Sequence, residues 1–130
     1  MREITVIAKN DVGSLAVVSE ALSSVGINIE AISAYGQDNK AVFRVLTNDV
    51  NSAVKALSRL PDIRVTESEI LVIQLQNRPG ELGKITRKLA NNMVNLESVY
   101  ILGKSNDYTE VAIKPANADF EKAKSVLKLK

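Results

Sequence analysis

The sequence predicts an α+β protein built from two tandem β-α-β-β-α units, and three observations carry that prediction. Apolar residues alternate at Ile4, Val6 and Ala8 and again at Leu71, Ile73 and Leu75, the two-residue period of a strand. Each run meets a glycine, Gly13 or Gly80, and passes into an apolar stripe of helical period: Leu15, Val18 and Leu22, or Leu82, Ile85 and Leu89. The two segments also superimpose at a constant offset. Residues 4–36 laid on 71–103 give seven identities without a gap: Asn10/Asn77, Gly13/Gly80, Leu15/Leu82, Leu22/Leu89, Asn28/Asn95, Glu30/Glu97 and Gly36/Gly103. Such self-similarity marks an internal duplication, with repeats at 1–68 and 69–130.

The elements follow in order. The first strand of each repeat runs to Asn10 or Asn77, and the loops "NDVG" and "NRPG" open the first helix. Gly26 is placed to end that helix in the first repeat, and Asn91 or Asn92 in the second. Second strands are expected over 27–35 and 94–102. The polar turns "GQDNK" and "GKSND", the latter one residue longer, lead to third strands around Phe43 and Val45 and around Val111 and Ile113. Val50, Val54 and Leu57 mark a second helix, as do Phe120, Ala123 and Leu127. "DIRVTES" then reads as a fourth strand, for which the second repeat has no counterpart. Because almost no connector separates it from the next strand, the two cannot form a hairpin, and a bent strand or a bridge is expected. The resulting class is two ferredoxin-like βαββαβ repeats, with antiparallel sheets, helices on one face, and a second repeat that lacks its last strand. Units of this size are marginal alone, and an open strand edge invites another segment or chain, so a homo-oligomer is expected.

Composition narrows the chemistry. The chain of 130 residues is 45% hydrophobic and 25% charged, as expected of a globular protein. Residues 1–67 hold 7 basic and 8 acidic side chains and the remainder 10 and 7, so the net charge of +2 is too small and scattered to predict a nucleic-acid or membrane surface. No long apolar run or leader is visible, and a cytoplasmic location is the expectation. With no cysteine and no histidine, disulfides, thiolate or imidazole metal ligands, and Ser-His or Cys-His catalytic pairs are all excluded. No metal and no cofactor is predicted.

The chemistry left to the sequence lies at the repeated loop. A helix start exposes unpaired N–H groups, and a glycine there lets a carboxylate approach the backbone. Asn10 and Asn77 stand before the helix, and Asn28 and Asn95 after it. An amide both donates and accepts, so it can bind a zwitterion without burying net charge. The same asparagines also suit plain turn and cap roles.

At these residues the sequence resembles the ACT domain, a small ligand-binding regulatory module. The resemblance rests on "NDVG" and "NRPG", on Leu15 and Leu82, and on "GINIE" and "MVNLE" leading into the second strand. It covers nearly the whole chain as two copies, like stand-alone double-ACT proteins with no attached enzyme. It implies a βαββαβ fold, side-by-side pairing of modules, and amino-acid binding at the interface between them. Carried over residue by residue, Asn10, Gly13 and Asn28 would form one half-site and Asn77, Gly80 and Asn95 the other, with Asp11, Val12, Arg78 and Pro79 in the loops and Glu81 beside them. The chain departs from the family in Val12, where proline is preferred, in Ala8 and Leu75, where some members carry a polar contact, and in the absent last strand.

Other readings fare worse. RNA-recognition domains share this element order but need stacking aromatics on the central strands, where only Phe43 and Tyr108 are available. "LGKS" at 102–105 lacks the first glycine of a phosphate loop, Ser98 taking its place, and lies in a strand-to-strand turn. No nucleophile motif or carboxylate pair supports an enzyme. The predicted function is a non-catalytic amino-acid sensor or regulatory protein. The alternative is a regulatory subunit that docks on a separate metabolic enzyme without binding a ligand of its own.

Overall fold

The computed structural model of the chain describes residues 1–129, in two compact units: Arg2–Glu69, and the chain from Ile70 onward together with Met1. The first unit runs β1 (Arg2–Lys9), α1 (Ser14–Ser23), β2 (Ile29–Gln37), β3 (Lys40–Thr47), α2 (Val50–Ser58) and β4 (Arg64–Glu69). The second runs β5 (Leu71–Gln76), α3 (Glu81–Asn91), β6 (Leu96–Lys104), β7 (Tyr108–Pro115) and, after a 3-10 turn at Asn117–Asp119, α4 (Phe120–Val126). The sheets are antiparallel, ordered β2-β3-β1-β4 in the first unit and β5-β7-β6 in the second. This is the α+β architecture that the pattern of elements predicts, one strand short in the second unit.

Strand pleating decides which residues meet the helices, since successive side chains point to opposite faces. Ile4 and Val6 of β1 join Phe43 and Val45 of β3 beneath Val18 and Leu22 of α1 and Ala53 and Leu57 of α2 in one buried core. Leu71, Ile73, Val111 and Ile113 do the same beneath Leu89 and Ala123. Of the predicted stripes, only Leu15 and Leu82 fail to enter the core: they stay 40% and 39% exposed, one turn above it.

The fourth strand raised a geometric difficulty, which its pairing resolves. β4 lies along the free side of β1, from Arg2↔Glu69 to Ile7↔Arg64, and the chain then passes through Ile70 alone into a different sheet. It is a regular edge strand, neither a bridge nor a hairpin partner of β5.

The second strands begin two residues later than expected, because the helix exits use those residues first. The Ile27 amide donates to the Leu22 carbonyl and the Gly26 amide to Ser23, and the Val94 and Met93 amides repeat this with Leu89 and Ala90. This paired closure needs a left-handed residue between helix and strand. Gly26 supplies it with φ 74°, but at the matching place of the second repeat Met93 takes φ 60°. Asn92 closes α3, its side-chain amide donating to the Lys88 carbonyl at 2.8 Å, so the asparagines end the helix as expected while the left-handed turn falls on the methionine. A side chain in that conformation costs about 1 kcal/mol relative to glycine. Met93 is 80% exposed and contributes little packing. Met93→Gly should therefore stabilise the protein by about 1 kcal/mol and Gly26→Ala should destabilise it by a similar amount, both read from urea unfolding midpoints.

Candidate functional site

The duplicated loops lie at the sheet end where the first and third strands of each repeat meet the hairpin turn. In the first repeat the Asn10 amide N–H donates to the Asn39 carbonyl at 2.9 Å, and its side-chain Nδ2 donates to the Asp38 carbonyl at 3.2 Å. In the second, the Asn77 N–H donates to Asp107 at 3.0 Å and Nδ2 to the Ser105 carbonyl at 2.8 Å. Each asparagine thus fastens the strand-to-helix loop to the following hairpin. The next turn of chain is left-handed at Gly13 (φ 89°) and Gly80 (φ 87°), which stand as the N-caps of α1 and α3. Neither helix start carries a side-chain cap among the described residues, so its first-turn amides have no side-chain acceptor there.

Between loop, helix start and edge strand lies a cavity. In the first repeat it measures about 350 Å³ and is lined by Asn10, Asp11, Gly13, Ser14, Leu15 and Ala16 on one side and by Ala34–Gly36, Ala41 and Phe43 on the other. Asp11 is the charged group among them. Among the described residues, the Asn10 Oδ1 has no hydrogen-bond partner, so that repeat presents an open acceptor, an uncapped helix start, a carboxylate and an apolar floor. The matching cavity of the second repeat is about 170 Å³, lined by Asn77, Arg78, Glu81, Leu82, Ile101, Lys104 and Thr109 among others. Its asparagine is occupied on both sides, because the Thr109 hydroxyl donates to Asn77 Oδ1 at 3.3 Å. Its charge balance is also different. Arg78 Nε donates to Glu81 at 2.7 Å and Lys84 lies 3.4 Å from the same carboxylate, while Lys104 forms no ion pair among the described residues. The hydrogen bond from Arg78 lowers the Glu81 pKa against the opposing pull of desolvation, with Lys84 adding to the effect.

The predicted residues therefore separate. Asn10, Asp11, Gly13, Asn77 and Arg78 line the cavities, whereas Val12, Pro79 and Gly80 do not, and Val12 points fully into solvent. Asn28 and Asn95 are not brought to the cavity of their own repeat. Asn28 precedes Ile29 at the start of β2 and Gly36 sits near its end, roughly 25 Å away at strand rise. Asn95 is held at that far end, its amide donating to Asp119 and its carbonyl accepting from Ala116. Residues that the sequence reading did not assign to the site include Leu15 and Leu82, which it used for the motif and as helix-stripe positions but which line the cavities, and Gly36. The identity Gly36/Gly103 signalled that position, although it reads equally as a turn glycine. Its packing is specific to the first repeat: a Cβ on Gly36 would lie 2.5 Å from Asn10 Nδ2, whereas one on Gly103 meets nothing within 4 Å.

No protein-family model and no curated relative matches the chain. Solved structures do. The crystal structure of protein BT0572 from Bacteroides thetaiotaomicron is 28% identical, with a TM-score of 0.85 over 98% of this chain and 85% of that one. The ligand-free regulatory subunit of aspartate kinase from Thermus thermophilus is 20% identical with a TM-score of 0.71, over 98% of this chain and 90% of that one. The corresponding subunit from Thermus flavus is 20% identical with a TM-score of 0.64, over 98% and 90%. These matches show the fold, which is that of tandem ACT domains. The whole described chain is accounted for by the two repeats of that fold.

Two outcomes follow from this geometry. Gly36→Ala should displace the Asn10 amide from Asp38 and lower the thermal midpoint, whereas Gly103→Ala should leave it within error, as differential scanning fluorimetry would show. For Glu81, whose folded pKa is depressed, the stabilising contribution is complete above the unfolded value and is lost as pH falls through the folded one. A carbon-detected NMR titration should find Glu81 below the ordinary glutamate range, and Arg78→Ala should return it there.

Proposed function

We propose that the chain is a non-catalytic regulatory module that binds an amino acid at the cavity of its first repeat. The observation that carries this reading is the convergence of the open Asn10 Oδ1, the uncapped start of α1 and the Asp11 carboxylate around an apolar floor. A ligand carboxylate suits the helix start, an ammonium suits Asp11 and the Asn10 oxygen, and a small apolar side chain suits Phe43, Ala34 and Ala41. The structural relatives that are regulatory subunits of aspartate kinase support a regulatory role and an enzyme partner.

Asn28 enters this reading through the edge strand. β2 and β6 are sheet edges that expose Ile32, Val99 and Ile101. Where two copies of the chain pair antiparallel along β2, the start of one edge strand comes beside the end of the other, and Asn28 of one copy then completes the loop site of the other. The second reading, a docking subunit without a ligand, draws on the same hydrogen bonds that fasten Asn10 and Asn77 to their turns, since those bonds give both asparagines a purely structural task.

A thermal-shift screen of the protein against the twenty amino acids, followed by calorimetry, separates the two readings. A ligand at 100 times its Kd should add about 2.7 kcal/mol of stability. Asn10→Ala should then weaken binding by about 1.5–3 kcal/mol, the scale of a hydrogen bond to a charged group. Asn28→Ala should do likewise if the paired-edge site is correct. A flat screen at saturating concentrations selects the docking subunit.

A further inference from the structure

We propose a second binding site in the first repeat, on the sheet face turned away from the helices, where Lys9, Lys40 and Arg64 grip a small polyanion of the phosphate class. The register places them together. Ile4, Val6, Phe43, Val45 and Val65 belong to the helix-facing core, so Lys9, Lys40 and Arg64, each an odd number of residues from these, lie on the opposite face. Lys9 is paired directly with Lys40 across β1 and β3, and Arg64 faces Ile7 across β1 and β4, one diagonal step from Lys9. Three cations from three adjacent strands therefore surround Ile7.

Like charges placed opposite each other across a sheet destabilise it unless something neutralises them. Among the described residues none of the three forms an ion pair, and Asp62, the one carboxylate lining their groove, is not within salt-bridge distance of any of them. Glu3, on the same face nearer the other end of β1, is fully buried against Arg44 at 3.1 Å. The groove beside the cations has a volume of about 440 Å³, room for a di- or triphosphate chain, and reaches round the end of the sheet, where Ala8, Asn39 and Ile63 complete its wall.

The duplicate shows that the fold does not require these charges. Lys9 corresponds to Gln76 and Lys40 to Tyr108, and Arg64 belongs to the strand that the second repeat lacks. The site also touches the amino-acid cavity through a single turn. Lys40 follows Asp38 and Asn39, whose carbonyls hold Asn10, and the Lys9 carbonyl accepts from Ser14 Oγ at 2.7 Å. The anion site stands on its own observations and does not depend on whether an amino acid binds.

The test is calorimetric titration of the full chain with inorganic tripolyphosphate and with ATP, at low and at raised salt. One saturable site is expected, weakening as salt rises, with each of Lys9→Gln, Lys40→Gln and Arg64→Gln costing about tenfold in affinity. Lys88→Gln and Lys124→Gln should change nothing. Without anion, Lys40→Gln should keep or raise the thermal midpoint, because it relieves the facing charges. Equal affinity for the two probes identifies the phosphate chain alone as the recognised group, and tighter ATP binding adds a contact to the nucleoside. Absence of saturable tripolyphosphate binding, or binding that survives replacement of all three cations, overturns the proposal.

Discussion

An asparagine amide bonded to a turn carbonyl 28 residues further along the chain is the interaction on which the cavity-bearing end of each repeat depends. It joins the loop that opens the first helix to the hairpin that follows it. With that bond in place the left-handed glycine aims the helix start over the edge strand, and a cavity remains between them. The bond lies at the surface and contributes little to stability as a single hydrogen bond, about 1 kcal/mol. Its importance is positional: among the described residues, no other side-chain hydrogen bond ties the loop to the hairpin in the first repeat, Ser14 joining the helix start to Lys9 instead.

Duplication preserved that fastening and left the surroundings free to diverge. In the first repeat the amide oxygen stays open and Gly36 leaves space for the side chain; in the second, Thr109 occupies the oxygen and Lys104, Arg78 and Glu81 bring charge to a smaller cavity. The faces turned away from the helices diverge as well. The first repeat has Glu3, Arg44 and Tyr35 there, where the second has Ile70, Ala112 and Leu102. Burial disfavours the Arg44 charge, yet hydrogen bonding to Tyr35 and the adjacent Glu3 carboxylate hold its pKa above the usual value. A buried pair of this kind adds little net stability but penalises the loss of either partner, so it constrains which strands can lie beside it.

Much of this was legible in the sequence because it follows from periodicity and from repetition. Alternation fixed the strands, the helical stripes identified Val18, Leu22 and Leu89 as core, and seven coincident identities located the loops and their asparagines. Leu15 and Leu82 were misassigned for a simple reason: spacing along a helix says which residues share a face, but not where the sheet beneath that face ends. The left-handed Met93 escaped notice because glycine is the usual marker of that conformation, and the hydrogen bonds of the helix exit impose it here on another residue.

The sequence by itself determined the fold class and the duplication, and with no histidine and no cysteine it excluded imidazole and thiolate chemistry. Those properties depend on local pattern and composition, which a chain carries before it folds. Tertiary structure alone decided that Asn10 lies beside Gly36 and far from Asn28, and that Lys9, Lys40 and Arg64 share one groove. Strand register sets these distances, and register is a relation between segments remote in the chain: a shift of one residue would turn each of those side chains to the other face.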